Sequence, residues 1–203
     1  MKRTFDILVA AAAFVLLAFP MLAVAVLVKL TSRGAVLYWS DRVGRNNRIF
    51  SMPKFRTMRT DTPQVASHLL SDPDAWLTPI GGFLRTTSLD ELPQLWSILK
   101  GDMSLVGPRP ALFNQHDLIA LRTAAGVHEL PVGLTGWAQI NGRDESPLEE
   151  KVAHDAQYLR QRSFLLDLKI LALTAWKVVR REGTRVPERV AGADREETSG
   201  KAA

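Results

Sequence analysis

TTSLDELPQLWSILKGDMSLVGPRP, residues 86–110, packs two adjacent carboxylates, a short amphipathic helix and an arginine between prolines into one unit. Ser88 with Glu91 three residues later has the form of a capping box, and Leu92, Leu95, Trp96 and Leu99 follow at i, i+3, i+4 and i+7 on one helical face. Pro93 competes with that start, because a proline within a helix removes a hydrogen bond and biases the preceding residue out of the helical region. A helix beginning at Pro93 is the alternative. On either reading Asp90 and Glu91 fall at or just before a helix N-terminus, where the macrodipole favours the charged carboxylate. Ionised carboxylates act as nucleophiles or metal ligands rather than proton donors. Gly101 then closes the helix after Lys100, and the prolines flanking Arg109 present its guanidinium with little freedom.

Upstream, the chain opens with Lys2 and Arg3 and then runs uncharged from Ile7 to Val28, 22 residues. Wholly helical, that run is about 33 Å long, enough to span a bilayer. Pro20 interrupts it, and Lys29 and Arg33 make the far flank as positive as the near one, so the flanking charges set no orientation. A re-entrant helix bent at Pro20, with both ends on the cytoplasmic face, satisfies both flanks at once; the freed backbone must then find partners in protein or water. A straight signal anchor and a signal peptide cleaved near Ala23-Val24-Ala25 are the alternatives.

The 203 residues suffice for one domain with an appendage, and 46% hydrophobic content excludes a disordered chain. Without cysteine, disulfides and thiolate metal sites are excluded. A net charge of +5 points to anionic partners, and its excess is concentrated: from Lys29 to Arg59 eight basic residues face Asp41 alone. Within that region VLYWSDRV and RIFSMPKFRTM flank a turn at Gly44 to Asn47, a hairpin in which Pro53 marks an edge or a bulge. Its basic face suits either phosphate or anionic lipid, where each residue adds about 1 kcal/mol of surface attraction.

A helix is expected over Pro63 to Leu70, a turn at Ser71 to Asp74, and another at Thr78 to Gly82. Asn114 to Ala125 reads as a helix. In LPVGLTGWAQINGR, residues 130–143, Trp137, Gln139 and Asn141 alternate as on a short strand. Its glycines suit either close backbone approach to a ligand or ordinary turns. Ser146-Pro147 with Glu149 starts a further helix bearing Asp155, Tyr158 and Arg162. Ser163 to Val179 is very apolar but carries Asp167, Lys169 and Lys177, which fits a core or interfacial helix better than a membrane span. The chain beyond residue 186 has the composition of a flexible tail.

Clustered Arg and Lys, two ionised carboxylates and glycine loops are what a phosphoryl-transfer site needs, since that chemistry is mostly positioning and neutralisation of spread negative charge. An adjacent Asp-Glu pair also occurs on solvated surfaces, so the residues alone leave open a non-enzymatic membrane adaptor and a membrane-anchored phosphodiesterase.

SLDELPQLWSILKGDMSLVGPRP resembles the bacterial sugar transferase family, the monotopic phosphoglycosyl transferases, and so do KRTFD, RVGRNNRIFSMPKFRTM, GLTGWAQINGR and SFLLDLKIL. The resemblance covers nearly all of residues 2–183 and departs from the family's pattern at Pro131-Val132-Gly133, Met52-Pro53 and Pro147-Leu148. It implies transfer of a sugar-1-phosphate from a nucleoside diphosphate sugar, typically a UDP-sugar, to undecaprenyl phosphate with release of UMP. By resemblance Asp90 is the nucleophile, Glu91 helps hold Mg2+, and Arg109 grips phosphate. Lys54, Arg56 and Arg85 are further anion contacts, and Gln139, Asn141 and Arg143 lie near nucleotide or sugar. The expected architecture is a small membrane-associated α/β domain with short strands. It comprises a re-entrant helix at 1–33, a cytoplasmic catalytic domain at 34–185 with interfacial amphipathic helices near its end, and a tail at 186–203. The expected partners are the UDP-sugar, the polyprenol phosphate and the bilayer of the inner membrane, with no nucleic acid; a second copy of the chain is left open.

Overall fold

Pro20 has no N–H to offer the carbonyl of Leu16, and its ring crowds that carbonyl, so the N-terminal apolar run cannot stay straight. In the computed structural model, which describes residues 1–63, 72–142 and 146–180, it divides into helix α1 (Lys2–Leu16) and helix α2 (Ala18–Thr31) at a 60° bend. The break falls at Leu17 (φ −95°, ψ 4°) rather than at Pro20, one turn upstream, where the missing bond and the clash act. Among the described residues no single helix is long and apolar enough to cross a membrane; this bent pair meets the requirement only when its two helices are taken together, and only in length and composition. Arg143, Ser71, the tail from 186, and all but Pro63 of the helix expected at Pro63 to Leu70 lie outside the described residues.

The hairpin expected around Gly44 to Asn47 forms. Strand β1 (Leu37–Val43) pairs antiparallel with β2 (Ile49–Phe55) through a 3-10 turn at Arg45–Asn47, in which Asn46 and Asn47 adopt positive φ. Strand β4 (Ala111–Leu112) joins the other side of β1, giving the order β2-β1-β4, so Pro53 does lie on an edge strand. A separate parallel pair joins β3 (Ser104–Val106) to β5 (Gly133–Thr135). Around these short strands stand eight α-helices among the described residues, a mixed α/β fold: α1, α2, α3 (Gly81–Thr86), α4 (Gln94–Lys100), α5 (His116–Ala124), α6 (Trp137–Asn141), α7 (Leu148–Gln161) and α8 (Phe164–Arg180).

Two expectations fail for physical reasons. The capping box at Ser88 does not form: Ser88 is left-handed (φ 56°), residues 89–91 make a 3-10 turn, and α4 starts only at Gln94. Pro93 cannot donate to Leu89, so the chain advances by bonds three residues apart, Glu91 to Ser88, Leu92 to Leu89 and Leu95 to Leu92. Residues 137–141 are helical rather than extended, because Ile140, 9% exposed, and Trp137 both pack on the core, a three-residue spacing that only a helix satisfies.

The main core draws Ala10 of α1, Met52 of β2, Ile98 of α4, Val106 of β3, Tyr158 of α7 and Ile170 of α8 into one cluster. Helix α1 is therefore built into the domain, and polar contacts fasten it. Lys2 Nζ reaches Asp167 Oδ2 (2.5 Å) and Val106 O (3.0 Å); Asp6, 3% exposed, accepts from Ser104 Oγ at 2.8 Å; Arg3 donates to the last carbonyls of α4, Ile98 O (2.7 Å) and Leu99 O (3.1 Å). A second cluster, Val24, Val28, Phe55 and Leu84, holds α2 against β2 and α3.

Candidate active site

The site is built where the hairpin, the 3-10 turn at 89–91 and the Gly107 to Pro110 loop converge. Asp90 lies in that turn and is 7% exposed. Burial, and then the neighbouring Glu91, push its carboxyl up from 3.8 to about 6, while Lys54, Arg85 and Arg109 pull the other way. The helix dipole is not what governs it, since α4 begins three residues beyond Glu91. Glu91 shifts in the opposite direction: although burial opposes ionisation, Arg109 holds it below the ordinary range, through a 2.8 Å contact from Nη2 to Oε1. Two adjacent carboxylates thus differ in charge preference: Arg109 is bonded to Glu91, whereas at Asp90 burial and the neighbouring Glu91 outweigh the pull of the cations.

Lys54 comes from β2, opposite Tyr38 of β1, with its ammonium 5.7 Å from the Tyr38 ring centroid. Burial first, then Arg42, lowers its pKa to about 8. Arg85 is carried by α3 and donates from Nε to Thr57 Oγ1 at 3.0 Å. Glycine makes that approach possible: a Cβ on Gly81 would stand 2.1 Å from Thr57 O. The Arg109 loop is seated in the same way, since a Cβ on Gly107 would lie 2.2 Å from Pro131 O and one on Gly136 2.2 Å from Gly107 O. The glycines of 133–136 therefore serve backbone-to-backbone packing of two loops, a role that neither reading of their sequence named.

Asp90, Glu91, Lys54, Arg85 and Arg109 are brought together; other expected residues are not. The Arg56 guanidinium, 6% exposed, is bonded to Ser32 O (3.2 Å), Ser32 Oγ (3.0 Å) and Arg33 O, where it fastens the end of α2. Gln139 Nε2 donates to Leu134 O (3.3 Å) while its buried Oε1 has no hydrogen-bond partner among the described residues, and Asn141 Nδ2 donates to Trp137 O (2.9 Å) within its own helix. Arg143 lies outside the described residues.

The sequence reading passed over Arg42. It shares a sheet face with Tyr38 and Lys54, donates to Ser40 Oγ (3.0 Å) and to Pro110 O (3.2 Å), and is lowered to about 10 by burial and then by Arg109. The available signal was its place two residues after Ser40 and four after Tyr38 on an alternating strand. Four cations consequently surround two carboxylates in a partly buried cluster, an arrangement that suits a diphosphate or phosphate. Among the described residues no group of three or more His, Cys, Asp or Glu is placed to hold a metal ion by itself.

Over residues 1–181 the sequence matches the family described as bacterial sugar transferase. The chain belongs to the bacterial sugar transferase family. An uncharacterized sugar transferase of Bacillus subtilis (strain 168), EpsL, is 42% identical to this sugar transferase over 183 residues, 90% of this chain and 89% of EpsL. The undecaprenyl-phosphate glucose phosphotransferase of Komagataeibacter xylinus is 41% identical over 188 residues, 85% of this chain and 35% of that protein. The UDP-glucose:undecaprenyl-phosphate glucose-1-phosphate transferase of Xanthomonas campestris pv. campestris is 41% identical over 167 residues, 78% of this chain and 34% of that protein. This sugar transferase thus spans nearly all of EpsL and about a third of the other two.

Proposed function

We propose that this sugar transferase moves a sugar-1-phosphate from a nucleoside diphosphate sugar, a UDP-sugar, to undecaprenyl phosphate in two covalent steps. The observation that carries the reading is the buried Asp90 amid Lys54, Arg85, Arg109 and Arg42: a carboxylate among cations can approach a phosphorus atom that cations have neutralised. In the first step an Asp90 oxygen forms a bond to the sugar-bearing phosphorus as the bond to the bridging oxygen breaks, and UMP leaves with that oxygen. In the second, a phosphate oxygen of the polyprenol attacks the same phosphorus and the Asp90 carboxylate departs. No proton need be added or removed in either displacement.

Before substrate arrives, Arg109 rests on Glu91. The arginine side chain is 51% exposed, and so open an ion pair contributes about 1 kcal/mol or less, so its exchange for phosphate is cheap. That exchange frees the Glu91 carboxylate, whose donor chemistry fits Mg2+, which takes one or two protein carboxylates and completes its shell with substrate phosphate and water. Such a metal, when bound, supplies charge neutralisation to the diphosphate.

We place the protein in one leaflet at the cytoplasmic face of the inner membrane. Both ends of the α1–α2 hairpin are fastened to the catalytic domain, at Lys2 and Asp6 on one side and at Ser32 and Arg33 on the other, which supports a re-entrant element over a spanning one. The bend carries the exposed apolar side chains Val15, Leu16 and Phe19, and α8 adds Leu165 and Trp176.

The test is UMP release from a panel of UDP-sugars with Mg2+ and polyprenol phosphate. Turnover with at least one sugar is expected, and none from any sugar with folded protein would refute the reading. UMP formation that proceeds through many turnovers without the lipid acceptor would instead favour a phosphodiesterase.

A further inference from the structure

The loop that carries Arg109 lies outside any sheet, yet its backbone is fastened at consecutive positions. The Gly107 N–H donates to Thr135 O at 2.9 Å, and Pro108 O accepts from the Gly133 N–H at 2.9 Å. The next two carbonyls accept from arginine side chains, Arg109 O from Arg122 Nη1 at 2.7 Å and Pro110 O from Arg42 Nη1 at 3.2 Å. Arg42 belongs to the charged cluster of the site. Arg122 does not: it stands on α5, is 9% exposed, and turns Nε and Nη2 onto Oδ2 of Asp155 at 2.9 and 2.7 Å. Asp155 comes from α7 and is 1% exposed.

A buried ion pair is a poor device for stability, because the desolvation of two charges offsets their attraction, and apolar residues of similar volume often serve as well or better. It is a good device for direction. A guanidinium is planar, so once Asp155 holds the Nε and Nη2 edge, the remaining nitrogen points along a fixed line. Here that line ends on the carbonyl of the residue that meets phosphate.

We propose that the Arg122–Asp155 pair is a positioning device for substrate phosphate: it fixes the Arg109 backbone so that the Arg109 guanidinium closes on the diphosphate at a set distance from Asp90. Neither residue touches substrate; both act through Arg109. The inference rests on the sugar transferase reading of the site and deepens it. The Arg109 side chain must leave Glu91 to take phosphate, so the backbone is the part that stays fixed through the exchange, and reactions that depend on positioning are sensitive to about 1 Å of displacement there.

The experiment compares full-length wild type with the double variant Arg122→Met, Asp155→Leu, which removes both buried charges together and leaves neither unpaired. Unfolding temperature is expected to stay near that of wild type, while KM for the UDP-sugar rises about 10- to 100-fold. In an Arg109→Ala background the same double replacement is expected to add nothing, because both changes remove one function. A pair with a purely structural role would instead lower kcat with the folded fraction and leave KM alone. An unchanged KM, or a full further loss in the Arg109→Ala background, overturns the proposal. Should the double variant melt early, Arg122→Lys, which keeps the charge but lacks the planar third donor, is expected to show the same KM rise, and an unchanged KM there also overturns it. Wild type without turnover on any UDP-sugar would be a failure of the sugar transferase reading, and the inference falls with it; active wild type and an equally active double variant is a failure of the inference alone.

Discussion

At the residue scale the site turns on the difference between two neighbouring carboxyls. Asp90 must be ionised to attack, and Lys54 must be charged to receive a phosphate, so kcat/KM for the UDP-sugar is expected to rise with pH through about 6 and to fall through about 8. A pH profile of initial rates checks this, and a flat profile from pH 5 to 9 would contradict it. The same shift bears on stability. A carboxyl raised from 3.8 to about 6 binds its proton more tightly in the folded chain than in the unfolded one, so its contribution is fully present below pH 3.8 and is lost as pH rises through 6. Asp90→Asn is neutral throughout; it is expected to be more stable than wild type at pH 8 by on the order of 2 kcal/mol, with the gain vanishing near pH 4. Thermal unfolding at the two pH values measures it, and a less stable variant at pH 8 would show that the cations around Asp90 outweigh its burial. The pairing of Asp90 with Glu91 and the presence of Arg109 were legible in one contiguous stretch. The opposite charge preferences were not, because they come from the tertiary burial of Asp90 and from Arg109 reaching back 18 positions to Glu91.

At the scale of elements, sequence patterns succeeded where the deciding interaction is local. The Gly44 to Asn47 hairpin, the glycine at the end of α4 with φ 105°, the proline near the start of α7 and the apolar period of α8 all rest on neighbours within a few residues. Patterns misled where packing decides, as at Trp137 to Asn141, where burial of Ile140 overrode an alternation of polar side chains. Arg56 is the same lesson in charge: it sits in a basic strand-like run, and the tertiary fold spends it on the end of α2. The interlocked glycines give a direct check. Gly107→Ala would drive a methyl into Pro131 O at 2.2 Å, and since both contacting groups are backbone, a loss of roughly 3 kcal/mol or more is expected in denaturant unfolding. Gly82, whose nearest neighbour would be Leu77 Cδ1 at 3.7 Å, should tolerate alanine with little change.

For the whole molecule, the N-terminal helix is built into the core and, on the proposed reading, also anchors the domain to the membrane. The like charges at either end of the apolar run set no orientation, and what ties both ends to the rest of the domain lies in distant partners: Lys2 with Asp167, Asp6 with Ser104, and Arg56 with the chain at Ser32 and Arg33. Those partners were not legible in the run itself, because Asp167 lies 165 positions from Lys2 and Ser104 lies 98 positions from Asp6. An N-terminal tag is accordingly expected to be reached by protease in inside-out vesicles and to be protected in spheroplasts; the reverse pattern would exclude the re-entrant hairpin. Sugar-1-phosphate transfer through Asp90 is the claim on which the rest depends. Its most direct test is intact-protein mass after mixing wild type and Asp90→Asn with Mg2+ and the UDP-sugar in the absence of polyprenol phosphate. The wild type should gain the mass of one sugar phosphate, mapped to Asp90 and discharged when the lipid phosphate is added, and the variant should gain nothing. UMP release by wild type with no adduct, or an adduct that persists in Asp90→Asn, would contradict it.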